Sequence, residues 1–150
     1  METNIIRSKQ DSIARCIARI ETKKQISYED LLEDYDAQDV ITLNLERAVQ
    51  QACDIAAMLL AESNAPVPDT MRAAFASLQH MQALSQNTAN RMMKAVGFRN
   101  IAVHVYQDID WSIVYSIVHE RLDDFRAFVR EIDHYLHTSQ TQTGTGSRHG

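Results

Sequence analysis

Glycine and proline are nearly missing from this chain. Of its 150 residues four are Gly and two are Pro, and Gly144, Gly146 and Gly150 lie at the C-terminal end, so residues 1–143 hold only Gly97, Pro66 and Pro68. Sandwiches and barrels need turn residues every 8–12 positions or so, and the P-loop and dinucleotide fingerprints need several Gly in one short loop; these classes are excluded. Cysteine is equally scarce. Cys16 and Cys53 stand far apart with no C-x-x-C pairing, which argues against a disulfide framework or a thiolate zinc site. No apolar run of signal-peptide length opens the chain and none approaches the ~18 residues of a membrane span, so a cytoplasmic protein with no membrane partner is expected. Positive charge is in deficit too: 20 acids against 15 Lys and Arg leave a formal charge of −5, which argues against nucleic-acid binding by global charge. Any such site must be local.

What is present is helical periodicity, and it predicts an all-α chain. Ile6, Ile13, Ile17 and Ile20 recur at 7, 4 and 3 with Arg15, Arg19, Lys23 and Lys24 between them, an amphipathic helix over residues 4–24. Ser27, with Asp30 three later, suits a short capped turn. The acidic run from Glu29 to Asp39 around Leu31, Leu32 and Tyr35 reads as a solvated connector, after which Asp36 or Asp39 caps a second helix. That helix carries the most regular stripe: Ile41, Leu45, Ala48, Ala52, Ile55 and Leu59. Both prolines then interrupt the pattern. Asp69 or Thr70 opens a third helix with Met71, Phe75 and Leu78 on one side, Ser85 a fourth through Met92 and Met93 to Gly97, and Asp110 one long last helix from Trp111 to Leu136. Gly97, two residues before Arg99, is a place for the backbone to bend. The division expected is a helical domain over 1–137 and a disordered polar tail over 138–150.

Charge distribution isolates one region. Residues 70–107 contain no Asp or Glu, while they hold Arg72, Arg91, Lys94, Arg99, His80 and His104. The local field there favours an anion, and RNA is a natural one, because phosphate contacts supply most of its non-specific affinity; Arg91, Lys94 and Arg99 are the expected RNA-binding cations. Inside this segment stands RNIAVHVY, residues 99–106. On a continuous helix, Ile101, Ala102, Val105 and Ile109 share one side while Arg99, Asn100, His104 and Tyr106 fall on the other, with Asn100 and His104 four apart. Arg offers a permanently charged fork to phosphate oxygens, and His exchanges a proton near neutrality. The pair suits metal-free RNA cleavage by the substrate's own 2′-hydroxyl, yielding a 2′,3′-cyclic phosphate and a 5′-hydroxyl. On spacing alone, a solvated surface or a satisfied interface fits the same residues.

RNIAVHVY also resembles the Arg-x-x-x-x-His-x-Tyr signature of HEPN-domain proteins of the HepT type, the toxins of HepT/MntA toxin–antitoxin pairs. LNLERAVQQACDIA (residues 43–56) looks like that family's second-helix segment, and MKAVGFRNIAVHVYQDIDWSIVYSIVHERLDDF (residues 93–125) like its motif region and following helix; the similarity spans roughly residues 4–136. The resemblance implies an antiparallel HEPN-type bundle of about five helices, dimerising through the motif-bearing helices, and a metal-independent endoribonuclease without cofactor, acting on tRNA or mRNA in a type VII toxin–antitoxin system. Arg99 and His104 match the catalytic residues, Asn100 fits as support, and Tyr106 matches the Tyr that a partner nucleotidyltransferase of the MntA type modifies with AMP. Phosphate charge and bulk on Tyr106 would compete with RNA at Arg99. The alternative is a non-catalytic helical module that presents substrate or nucleotide to a nucleotidyltransferase; a purely structural bundle is a third, favoured by the acidic total charge.

Other residues have plainer readings. Asp54 and Glu46 can face the motif cleft, but pairing with Arg47 or a neighbouring cap is simpler. Tyr115, His119 and Asp123, four apart, read as an exposed polar stripe; His134 and His137 as favourable charges near a helix C-terminus rather than metal ligands; Met92, Met93 and Trp111 as packing residues.

Overall fold

The computed structural model describes the backbone of residues 3–104 and 109–149 and the side chains of residues 3–98 and 109–139. All regular structure among them is helical: α1 (Thr3–Glu21), α2 (Tyr28–Glu33), α3 (Tyr35–Glu62), α4 (Met71–His80), α5 (Gln86–His104), α6 (Trp111–Glu120) and α7 (Leu122–His149). The all-α expectation holds, with seven described helices in place of about five.

The N-termini form where short polar side chains can occupy amide donors that a first turn leaves open. Ser27 caps α2 by accepting from Asp30 N, and Thr70 caps α4 by accepting from Ala73 N. The Ser85 hydroxyl accepts from Thr88 N at 3.2 Å, and Asp110 accepts from Ser112 N in α6. One cap differs from expectation. Asp34, not Asp36 or Asp39, caps α3, its carboxylate accepting from Ala37 N at 3.0 Å while its own N–H closes α2 on Asp30 O.

The acidic run is therefore not a solvated connector. Leu31 is fully buried in the core and Ala37 follows it, while Gln38 Nε2 donates to Leu31 O at 2.8 Å and to Leu32 O at 3.2 Å. Two apolar side chains suffice to tie the segment down, although six carboxylates around them dominate its composition. The single last helix expected from Asp110 is also two. Arg121, at φ −120°, leaves helical geometry between α6 and α7, yet Val118, Leu122 and Phe125 are all buried. A one-residue interruption keeps the apolar spacing in phase, so periodicity could not reveal it.

One core joins the helices, with α1 along α3 and α4 along α5. Ile6, Ile13, Ile17 and Ile20 of α1 meet the predicted α3 stripe; Phe75 of α4 and Phe128 of α7 cross edge-to-face, ring centroids 5.9 Å apart and both fully buried. Gln10 joins α1 to α7 through Nε2 donating to Val129 O at 3.2 Å. α7 is helical through His149, and Leu136 is its last core residue among those described.

Candidate active site

α5 carries the start of the candidate motif, and its first turn is held by one carboxylate from elsewhere in the chain. Glu131 of α7 accepts from Ser85 N at 2.6 Å and from the hydroxyls of Ser85 and Thr88, a charge-assisted cap on the open amides of α5. From there the helix runs without a break to His104. Gly97 is thus not a bend: it sits in α-helix with no positive φ, and a Cβ added to it would meet nothing within 4 Å. Since Gly costs about 0.5–1 kcal/mol in a helix interior relative to Ala, Gly97→Ala is expected to raise the urea midpoint of the isolated chain by an amount of that order. An unchanged or lowered midpoint, measured with constant m-value, would show that something closes on that open position.

Arg99, Asn100 and His104 lie on the C-terminal part of this continuous helix, their side chains outside the described residues; Tyr106 lies outside the described residues altogether. Helical register still orders the backbone positions. Gly97, Asn100 and His104 are spaced 3 and 4 and share one side, whereas Arg91, Ala95 and Arg99 are spaced 4 and 4 and share another.

Along that second side a cavity of about 340 Å³ opens between α3, α5, α6 and the start of α7, within the ~300–1,000 Å³ usual for small-molecule sites. Leu45, Val49, Ala95, Phe98, Ile113, Ile117 and Phe125 make it largely apolar, Ser112 and Ser116 add hydroxyls, and Arg91, Lys94, Arg121 and Asp124 bring charge. Of the expected RNA-binding cations, Arg91 is not free. Its Nη1 donates to Asp124 Oδ1 at 2.7 Å, and that carboxylate is nearly buried while the Arg side chain is 38% exposed. Tertiary folding therefore returns a carboxylate to the acid-free segment, from a residue 33 positions away. Lys94 is exposed and Arg121 likewise, and neither has an ion-pair partner among the described residues.

Sequence reasoning missed Arg121, Asp124, Phe98 and Ile113, and no local pattern marks them: Asp124 reads as an ordinary acid in the first turn of a helix. Asp54 belongs elsewhere, bound to Lys9 Nζ at 3.1 Å and Gln50 Nε2 at 2.8 Å, not to Arg47. Tyr115 and His119 are not an exposed stripe. Both are half-buried, their rings 4.1 Å apart, with Tyr28 edge-on to Tyr115 at 5.7 Å and the His119 Nδ1 within 3.0 Å of Tyr115 O. They tie α2 to α6, just after the motif. Ahead of them, hydrogen bonds from the Ser112 hydroxyl and amide hold the Asp110 carboxyl below the usual carboxylate range; its cap is complete at neutral pH and is lost only as pH falls through that lowered value. No group of His, Cys, Asp and Glu among the described residues is arranged to hold a metal, His134 included.

Against known proteins, the family described as Ribonuclease HepT-like matches residues 13–132. The chain belongs to the HepT-like ribonuclease family. Its activity class is accordingly endoribonuclease, as the resemblance implied. The mRNA nuclease HepT of Shewanella oneidensis is 35% identical over 129 residues, covering 84% of this chain and 94% of that protein. The tRNA nuclease HepT of Aphanizomenon flos-aquae is 28% identical over 142 residues, covering 95% and 97%. A solved structure of the tri-AMPylated Shewanella oneidensis HEPN toxin in complex with MNT antitoxin superposes with a TM-score of 0.78 at 33% identity, over 86% of this chain and 96% of that one. The HepT-like chain thus has the fold of a HEPN toxin over nearly the whole length of its relatives. No helix among its described residues is long and apolar enough to cross a membrane.

Proposed function

We propose that this HepT-like chain is the RNA-cleaving toxin of a type VII toxin–antitoxin pair, acting in the cytoplasm as a homodimer whose two motif-bearing helices face one cleft. The observation that carries the proposal is an intact Arg-x-x-x-x-His-x-Tyr set in the sequence, its Arg99 and His104 on the C-terminal part of α5, in a carboxylate-free segment of a HepT-like fold. His104 takes the proton of the RNA 2′-hydroxyl, which attacks the adjacent phosphorus; Arg99 neutralises the charge gathering on the phosphoryl oxygens, and Asn100, four before His104, orients the imidazole. The bond from phosphorus to the 5′-oxygen breaks, that oxygen takes a proton, and the ends left are a 2′,3′-cyclic phosphate and a 5′-hydroxyl. The nucleophile comes from the substrate, so no metal or cofactor is required. Lys94 and Arg99 supply phosphate contacts, and Arg91 joins them through the hydrogens its Asp124 contact leaves unused. Residues 1–137 form the working domain, and the polar residues 138–150 are a tail outside it.

Silencing falls to Tyr106. A nucleotidyltransferase of the MntA type transfers AMP from ATP to its phenolic oxygen, releasing pyrophosphate, and the added phosphate sets negative charge and bulk beside Arg99. The toxin of the related Shewanella oneidensis complex is tri-AMPylated, which supports this reading. Incubating the chain with ATP and its cognate nucleotidyltransferase of the MntA type should add AMP units on the peptide containing Tyr106, read by mass spectrometry, and should abolish cleavage that otherwise proceeds in EDTA and leaves 5′-hydroxyl ends. Addition at another residue would refute the Tyr106 assignment. RNA left intact by the unmodified protein would leave a non-catalytic partner of the nucleotidyltransferase.

A further inference from the structure

The cavity beside α5 is not used by the cleavage chemistry, yet its wall leads to the motif. Arg91 and Ala95 line it, and Arg99 is the next position in the same i, i+4 row, about 6 Å further along the helix axis. Phe98, immediately before Arg99, lines it as well. Its interior suits a flat apolar ring: Phe98, Ile113 and Ile117 supply the walls, and Ser116, whose hydroxyl donates to Glu120 Oε2 at 3.2 Å, offers its oxygen as an acceptor for the ring edge. Its rim suits an anion. The Arg91 charge is matched by Asp124, but Lys94 and Arg121 are unmatched among the described residues, an excess of positive charge on a chain whose total is −5. An apolar slot with a cationic rim is complementary to one nucleotide, base inside and phosphate outside.

We propose that this cavity receives the base of the RNA nucleotide adjoining the scissile bond, with Arg121 and Lys94 on its phosphate, and so sets which base stands beside the cut. The inference rests on the reading of Arg99 as the scissile-phosphate residue. It gives Arg121 and Ile113 roles in specificity, and it offers a physical basis for relatives with one fold having different RNA substrates. The slot selects a base, and the identity of the RNA follows from where that base is unpaired.

Ile113 is 47% exposed, so Ile113→Trp fills the slot without forcing bulk into the core. The 150-residue wild type, Ile113→Trp and Arg121→Ala are compared on short unstructured RNA oligonucleotides randomised around one position. Cleavage sites are mapped by their 5′-hydroxyl ends, and binding is followed by fluorescence anisotropy across a salt series. The expected results are a wild-type base preference at one position next to the cut, its loss in Ile113→Trp with KM raised about tenfold and kcat within about twofold, and a salt slope of binding lowered by about one in Arg121→Ala. Unchanged preference and KM in Ile113→Trp would overturn the proposal. So would a change in molecular mass by light scattering, which would assign the cavity to a second copy of the chain. If the wild type cleaves nothing, the nuclease reading fails while the subsite is still decided by anisotropy: weaker RNA binding by Ile113→Trp sustains it, and equal binding rejects it.

Discussion

Replacing His104 by Ala should lower RNA cleavage by about 10²–10⁴-fold, the range a positioned proton-transfer group contributes, while leaving the fold intact. The substitution falls on the C-terminal part of α5, and Ala is the best helix former, so circular dichroism and the urea midpoint should stay close to wild type. In the proposed mechanism the loss has a specific chemical origin: with Arg99 still present the phosphate should bind, and KM should change less than kcat because only the proposed proton acceptor is gone. In cells expressing the chain without its nucleotidyltransferase, wild type should arrest growth and degrade RNA, and His104→Ala should do neither. Equal growth and equal RNA integrity for the two would sink the nuclease mechanism. Arg99→Ala should differ in kind, because it removes both a phosphate contact and the stabilising charge, so KM rises and kcat falls together.

The largest effect on stability should come from the contact between α4 and α7. Phe128 is fully buried and meets the equally buried Phe75 edge-to-face at 5.9 Å, joining α7 to α4, which in turn packs along α5. Phe128→Ala removes the ring and leaves a cavity in a close-packed interior, a change that costs about 3–5 kcal/mol. Domains of this size have about 5–15 kcal/mol in total, so the urea midpoint should fall by about a fifth or more at constant m-value. A loss below about 1 kcal/mol would mean that α4 and α7 separate readily and that the Phe pair is not a main strut of the bundle. The pairing explains why the site can be built from side chains alone. With α5 held at its start by Glu131 and along its length by α4 and α7, no glycine-rich loop is needed to place a phosphate contact.

Much of this was legible before any coordinates. Stripes such as Ile41, Leu45, Ala48 and Ala52 name the buried face of α3, because a helix of fixed pitch can bury only one side. Thr70, Ser85 and Asp110 are recognisable as caps because each offers a side-chain oxygen just ahead of amides that have no helical partner. Asp34 was missed, since a run of six acids offers several equivalent caps and only the backbone geometry at Asp34 chooses. Leu31 was missed because two apolar residues inside an acidic stretch show no periodicity, and the break at Arg121 because the stripe stays in phase across it. At the candidate site, RNIAVHVY and the absence of carboxylates from residues 70–107 were visible at once.

The sequence by itself determined that the chain is helical and that residues 70–107 carry no carboxylate, and the resemblance of RNIAVHVY to the HepT signature pointed to Arg99, His104 and Tyr106. The first two follow from local rules: pitch, capping and the density of charge along the chain. Only the tertiary structure decided which of those charges remain available. It placed Asp124 against Arg91 and Glu131 at the start of α5, and among the described residues it left Lys94 and Arg121 unmatched around an apolar cavity leading toward Arg99. Charge pairing acts over a few ångströms of space, and positions 33 or 46 apart in sequence become neighbours only when the helices pack.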